Sequence, residues 1–302
     1  EVVTHRSCDG SALTAACCIS SDVMLVSTAL GSLFAVDRRT GGDVWRSSSD
    51  ANGVPTSLGP PSGVSSLFCD SRAYGAAVAT LGGGVALFDL RFQLLLEQYR
   101  LPGANGKQAL SPMENPHAIL CLCPDTSCAS SEQMTSRPGL LLGTRSGTVH
   151  HLDLATGKSH IALQPFCTGK ATRALLLQPK HAVVFTAGDE MQIRRWCLSS
   201  PSRSATVVCP PFSSHSYAKQ AAGAIVEVRD KKRQNHTDSA VVSSPASSAT
   251  QRGVVLPQHH DDAILTLCSL HLKTSSSGSG AGEVHLVSGS RDGRLTVWLN
   301  AG

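Results

Sequence analysis

The stretch Ser288-Gly-Ser-Arg-Asp-Gly-Arg-Leu-Thr-Val-Trp298 holds a polar turn, Ser290 to Gly293, between the apolar run at 285–288 and the alternating run that ends on Trp298. That is the pattern of a β-hairpin. Its second half, Gly293-Arg-Leu-Thr-Val-Trp-Leu299, has four counterparts upstream: Gly31-Ser-Leu-Phe-Ala-Val-Asp37, Gly83-Gly-Val-Ala-Leu-Phe-Asp89, Gly147-Thr-Val-His-His-Leu-Asp153 and Met191-Gln-Ile-Arg-Arg-Trp-Cys197. Each follows a short apolar run, at 24–27, 77–79, 140–142 and 183–186. The third position is always apolar (Leu33, Val85, Val149, Ile193, Leu295), and so is the sixth (Val36, Phe88, Leu152, Trp196, Trp298). Strand alternation sends the third and sixth positions to opposite faces, so each hairpin is expected to be covered on both sides.

Further strand candidates follow the first four copies, at 44–45, 94–99, 161–163 and 205–208. Repeated hairpins with outer strands and little helical periodicity predict an all-β chain, a β-propeller of the WD40 type. Five blades are legible, near 12–50, 64–100, 117–164, 171–209 and 258–299. The chain opens on Glu1 and is read as a fragment lacking its N-terminal blades. Ser-, Gly- and Pro-rich insertions at 47–66, 123–138, 230–258 and 274–282 are too poor in apolar residues to form domains of their own.

Composition narrows the function classes. The 302 residues are 41% apolar and carry a formal charge of only +4. The single basic cluster, Arg229 to Arg233, has no interleaved aromatics, so it reads as a solvated loop and not as a nucleic-acid surface. Eleven cysteines occur without any C-x-x-C pair, so no metal or cofactor site is expected and they are read as small buried hydrophobes in a reducing compartment. The closest pairs are Cys17-Cys18 and Cys121-x-Cys123. The sequon at Asn235 is discounted because no secretory signal precedes it. The longest apolar region, 74–88, carries four glycines and is too short to span a bilayer.

The fifth repeat is the most complete. His260, Ser288, Asp292 and Trp298 stand at the relative positions that form a hydrogen-bonded chain inside a WD-repeat blade, a structural device. A hydrolytic triad would use the same residue types, but Ser288 lies on an ordinary strand with no nucleophile elbow around it. Gly157-Lys158-Ser159 ends like a phosphate loop, yet Leu152 stands where the first glycine belongs. No protein-kinase motif is present, so no catalytic residue is assigned.

Several stretches resemble the WD-repeat domain of the regulatory subunit of class III phosphatidylinositol 3-kinase, the subunit built of kinase-like, HEAT-repeat and WD-repeat parts. They are Phe88-Asp-Leu-Arg-Phe-Gln-Leu94, Thr186-Ala-Gly-Asp-Glu-Met-Gln-Ile-Arg-Arg-Trp196 with Pro201 and Arg203-Ser204 after it, Ser216-Tyr217, Ile225-Val-Glu-Val228, His259-His-Asp261, and Ser290 to Trp298. Cys197 and Leu299 replace the usual Asp after Trp, and Phe88 replaces a Trp. The resemblance implies a propeller of seven blades, of which five are legible, within a scaffold that holds the lipid kinase catalytic subunit and a Beclin-type subunit. It implies a cytoplasmic location, peripheral on endosomal and autophagic membranes, and support for phosphatidylinositol 3-phosphate production in autophagy and sorting. Arg91, Phe92 and Arg194 are the binding residues it points to, since Arg and aromatic anchors concentrate interface energy; the alternative is that Phe92 packs between blades and the two arginines only brace neighbouring loops. The residues alone imply a protein-binding propeller, and an adaptor of another assembly, such as a ubiquitin ligase, is the alternative.

Overall fold

A computed structural model describes residues 10–46, 63–70, 74–102, 115–125, 139–165, 169–208, 216–221, 223–229, 260–272 and 283–298. The insertions at 47–66, 123–138, 230–258 and 274–282, the sequon at Asn235 and most of the Arg229 to Arg233 cluster lie largely or wholly outside the described residues. The chain forms five small sheets arranged as the blades of a β-propeller. Blade A holds β1 (Leu13–Cys18), β2 (Val23–Thr28), β3 (Leu33–Asp37) and β4 (Asp43–Arg46). Blade B holds β5 (Val64–Cys69), β6 (Gly75–Thr80), β7 (Gly84–Asp89) and β8 (Leu94–Arg100). In blade C are β9 (Ile119–Asp125), β10 (Gly139–Thr144), β11 (Val149–Asp153) and β12 (Ser159–Gln164), and in blade D β13 (Thr172–Gln178), β14 (Val183–Gly188), β15 (Ile193–Cys197) and β16 (Ala205–Val208). A hairpin, β17 (Ser216–Ala221) and β18 (Ala224–Arg229), precedes blade E, whose strands are β19 (Ile264–Leu272), β20 (Glu283–Ser290) and β21 (Leu295–Trp298).

The repeat read from sequence holds down to single hydrogen bonds. In every blade the turn between the second and third strands closes the same way: Gly31, Gly83, Gly147, Met191 and Gly293 donate their N–H to the carbonyls of Thr28, Thr80, Thr144, Gly188 and Ser290 at 3.0–3.1 Å. The donor's φ is left-handed in all five, between +57° and +93°, a conformation that suits glycine and strains Met191. A second bond ties each turn to the entry of its blade: Ala29, Leu81, Arg145, Asp189 and Arg291 donate to the carbonyls of Ala12, Gly63, Ala118, Ala171 and Ala263.

The first strands adjoin in sequence order, β1 against β5, β5 against β9, β9 against β13 and β13 against β19. An apolar cluster fills each gap between blades. Leu25, Leu33 and Trp45 of blade A meet Val78 and Phe88 of blade B. Val85 and Tyr99 of blade B meet Leu142 and Leu152 of blade C. Val149 and Leu163 of blade C meet Val184 and Trp196 of blade D, and Phe185 and Ile193 of blade D meet Ile264, Leu286 and Trp298 of blade E. Third-position residues thus face the following blade and sixth-position residues the preceding one, as strand alternation requires.

Blade E differs from the other blades in having one face open. Leu33, Val85, Val149 and Ile193 are at most 1% exposed, whereas Leu295 is 72% exposed and Val297 is exposed beside it. The physical reason is the absence of a neighbour on that side: among the described residues no contact comparable to β13 against β19 joins β19 to β1. Among the described residues blade E also has three strands, whereas every other blade has four or more.

The hairpin β17–β18 belongs to blade C, although it follows blade D in the chain. Strand β18 pairs in parallel with β12, Leu163 opposite Ile225 and Gln164 opposite Val226, which makes a six-stranded sheet in the order β17-β18-β12-β11-β10-β9. Ile225 completes the apolar cluster between blades C and D.

Candidate functional site

The four residues proposed for the closing blade meet inside it. Ser288 on β20 is fully buried, and its hydroxyl lies 2.7 Å from His260 Nε2. Trp298 on β21 donates its indole N–H to the same oxygen at 2.8 Å. An indole nitrogen only donates, so Ser288 accepts from Trp298. His260 Nδ1 lies on the side of Asp292, whose Oδ2 is 3.9 Å away. Asp292 accepts the N–H of Arg294 at 2.8 Å and of Asp261 at 3.1 Å, and these backbone bonds hold its carboxyl below the usual range. Both His260 and Ser288 are closed to solvent among the described residues. Blade D repeats half of the device: Trp196 donates to Thr186 Oγ1 at 2.8 Å, and Thr186 holds the same register as Ser288.

Arg91, Phe92 and Arg194 do not come together. Arg194, on β15, is buried between two carboxylates. It pairs with Glu190 of its own turn and, through Nε at 2.8 Å, with Glu227 of β18. Burial raises the Glu190 carboxyl, and the Arg194 charge opposes that rise. The geometry makes Arg194 a brace between blade D and the hairpin that extends blade C. A charged residue inside the apolar run Ile225-Val-Glu-Val228 is the one sequence signal that pointed to such a pair.

Arg91 and Phe92 sit at the turn between β7 and β8, on the outer rim of blade B. Asp89 sets this turn by accepting the Arg91 N–H at 2.9 Å and the guanidinium through Nε at 3.1 Å and Nη2 at 2.6 Å. The bond from Arg91 holds the Asp89 carboxyl low. The guanidinium carbon lies 4.7 Å from the ring centre of Tyr74 and 5.3 Å from that of Phe92, within cation–π range of both. Phe92 is 67% exposed, and Tyr74, Leu94 and Leu96 are exposed with it. An oriented Arg with large apolar side chains held in solvent has the make-up of a docking patch. The outer strand at 94–99 was legible from sequence, but the exposure of Tyr74, Leu94 and Leu96 beside Arg91 was not, since it depends on which face of that strand stays uncovered.

A cleft of about 360 Å³ opens on blade C beside Pro102, lined by His117, Thr148, His150 and Ser159 among others. His150 is buried, its Nδ1 meets no hydrogen-bond partner, and its pKa is lowered to about 4, by burial first and then by the nearby charges of His117 and His160. Among the described residues no group of three or more His, Cys, Asp or Glu side chains is placed to hold a metal ion, and no helix is long and apolar enough to cross a membrane.

The fold and these surfaces define a β-propeller with a buried structural network and an exposed rim patch, an arrangement consistent with a protein-binding scaffold. No protein-family model matches the chain.

Proposed function

We propose that this chain is a non-catalytic protein-binding propeller, the WD-repeat part of the regulatory subunit of a class III phosphatidylinositol 3-kinase complex. In this reading it supports phosphatidylinositol 3-phosphate production on endosomal and autophagic membranes, which it reaches through its partners. The catalytic subunit and a Beclin-type subunit are those partners. The observation that carries the reading is the rim patch. Phe88 to Leu94, one of the stretches that resemble the family, forms the turn that holds Arg91 and Phe92 out in solvent.

Affinity purification of the protein from its own cells, unmutated and carrying Arg91→Ala with Phe92→Ala, tests this. Recovery of a lipid kinase subunit with the unmutated protein, lost in the double variant at an unchanged melting temperature, supports the reading. Recovery of ubiquitin-ligase subunits instead assigns the propeller to another assembly. Retention of the lipid kinase by the double variant moves docking away from blade B.

A further inference from the structure

Cys17 lies on β1 of blade A and Cys69 closes β5 of blade B, 52 residues apart in sequence, and their sulfur atoms are 2.9 Å from each other. Both side chains are half-buried at the margin of the apolar cluster between the two blades, packed against residues that include Leu25 and Phe88. A separation of 2.9 Å is hydrogen-bonding contact between two thiols, and about 0.9 Å of approach separates it from a covalent S–S bond. Among the described residues no other two sulfurs are in such contact. Cys18, next in the chain, is exposed, and Cys121 is buried with its thiol pushed up by burial.

We infer that Cys17 and Cys69 form an oxidisable dithiol that closes to a disulfide between blades A and B, with a small-molecule disulfide such as oxidised glutathione as the oxidant. The electrostatics give the order of events. The hydrogen bond from Cys69 lowers the Cys17 pKa, against burial and Cys18, and the same bond raises that of Cys69. Cys17 is therefore the thiolate that attacks. It displaces one glutathione thiolate and forms a mixed disulfide. Cys69 then loses its proton to water and attacks the Cys17 sulfur, expelling the second glutathione thiolate. The protein gives up two protons and two electrons, and one oxidised glutathione becomes two reduced ones.

The consequence is a covalent tie across a joint between two sheets, since β1 and β5 belong to different ones. A cross-link that closes a long loop stabilises chiefly by restricting the unfolded chain.

The test incubates the full chain with glutathione mixtures of rising oxidised fraction, traps free thiols by alkylation, and reads intact mass and non-reduced peptide maps. The expected product is lighter by two hydrogens and links the Cys17 and Cys69 peptides. It is absent from Cys17→Ser and from Cys69→Ser, and it persists in Cys18→Ser. The unfolding midpoint should rise with the cross-link and return on reduction; Cys17→Ala and Cys69→Ala replace the serine variants if those fail to fold. Full alkylation of Cys17 and Cys69 under conditions that glutathionylate the exposed Cys18 and Cys268 would overturn the proposal, as would a cross-link that runs through Cys18.

Discussion

Replacing Ser288 by Ala removes one oxygen from a site with no solvent access and leaves two groups, His260 Nε2 and the Trp298 indole N–H, without the atom they share. Each buried polar group stripped of its partner costs about 1–3 kcal/mol. His260 is fully buried, so water cannot replace the lost bond, whereas Trp298 is only half-buried and recovers part of its hydration. The expected loss is therefore about 2–4 kcal/mol, with almost no change in volume to confuse it. Ser288→Thr is the matched variant, because Thr186 performs the same task for Trp196 at the equivalent register of blade D. It should restore most of the loss. Urea unfolding followed by far-ultraviolet circular dichroism gives the values. A loss below about 0.5 kcal/mol, the level of ordinary surface changes, would refute the network, as would a threonine variant no better than the alanine one.

The open face of blade E is tested by a pair: Ile193→Ala, from the filled gap between blades D and E, should cost about 2–5 kcal/mol, and Leu295→Ala at the equivalent position under about 0.5 kcal/mol, both by urea unfolding. Arg194→Ala leaves Glu190 and Glu227 facing each other in a buried site and should destabilise by about 3–5 kcal/mol, with Arg194→Lys recovering only part. His150 sets a pH response: its folded pKa, about 4, lies below the ordinary 6.5, so its neutral form stabilises the fold fully above pH 6.5, and that contribution is lost as the pH falls towards 4. At pH 5 the loss is about 2 kcal/mol, and His150→Asn should flatten the stability profile between pH 7 and 5. Met191→Gly relieves a left-handed non-glycine residue and should raise stability by about 0.5–1 kcal/mol, seen as a higher melting temperature; a drop would mean that its side chain contributes packing worth more than the strain.

The repeat unit was legible because it is local. A glycine that permits the turn, an apolar third position and an apolar sixth lie within seven residues, and each obeys a rule about φ or strand parity that needs no knowledge of neighbours. His260, Ser288 and Trp298 could likewise be read together, because they recur at fixed places in a known pattern. What sequence could not show depends on partners far along the chain. Leu295 has the same pattern as Ile193, and nothing local separates a face that meets another blade from one that does not. Whether Arg194 docks a partner or braces the fold was open in the sequence, because one of its two carboxylates, Glu227, comes from a hairpin far along the chain. Cys17 was read beside Cys18, its neighbour in the chain, whereas its sulfur touches that of Cys69 on the next blade. The placement of β17–β18 was hidden for the same reason, since parallel pairing with β12 skips all of blade D.

That skipped pairing bears on the order in which the molecule can assemble. In a plain series of blades each sheet is finished before the next begins, and each can open and close by itself. Here the outer edge of blade C stays bare until the chain has passed through blade D and returned with Ser216–Ala221 and Ala224–Arg229. Glu227 then meets Arg194 and Ile225 enters the gap between the blades, so the last strands of one blade and the interface of two are completed in a single event. Blades C and D should therefore exchange their amide hydrogens as one cooperative unit, slower than blade A, which owes nothing to such a return.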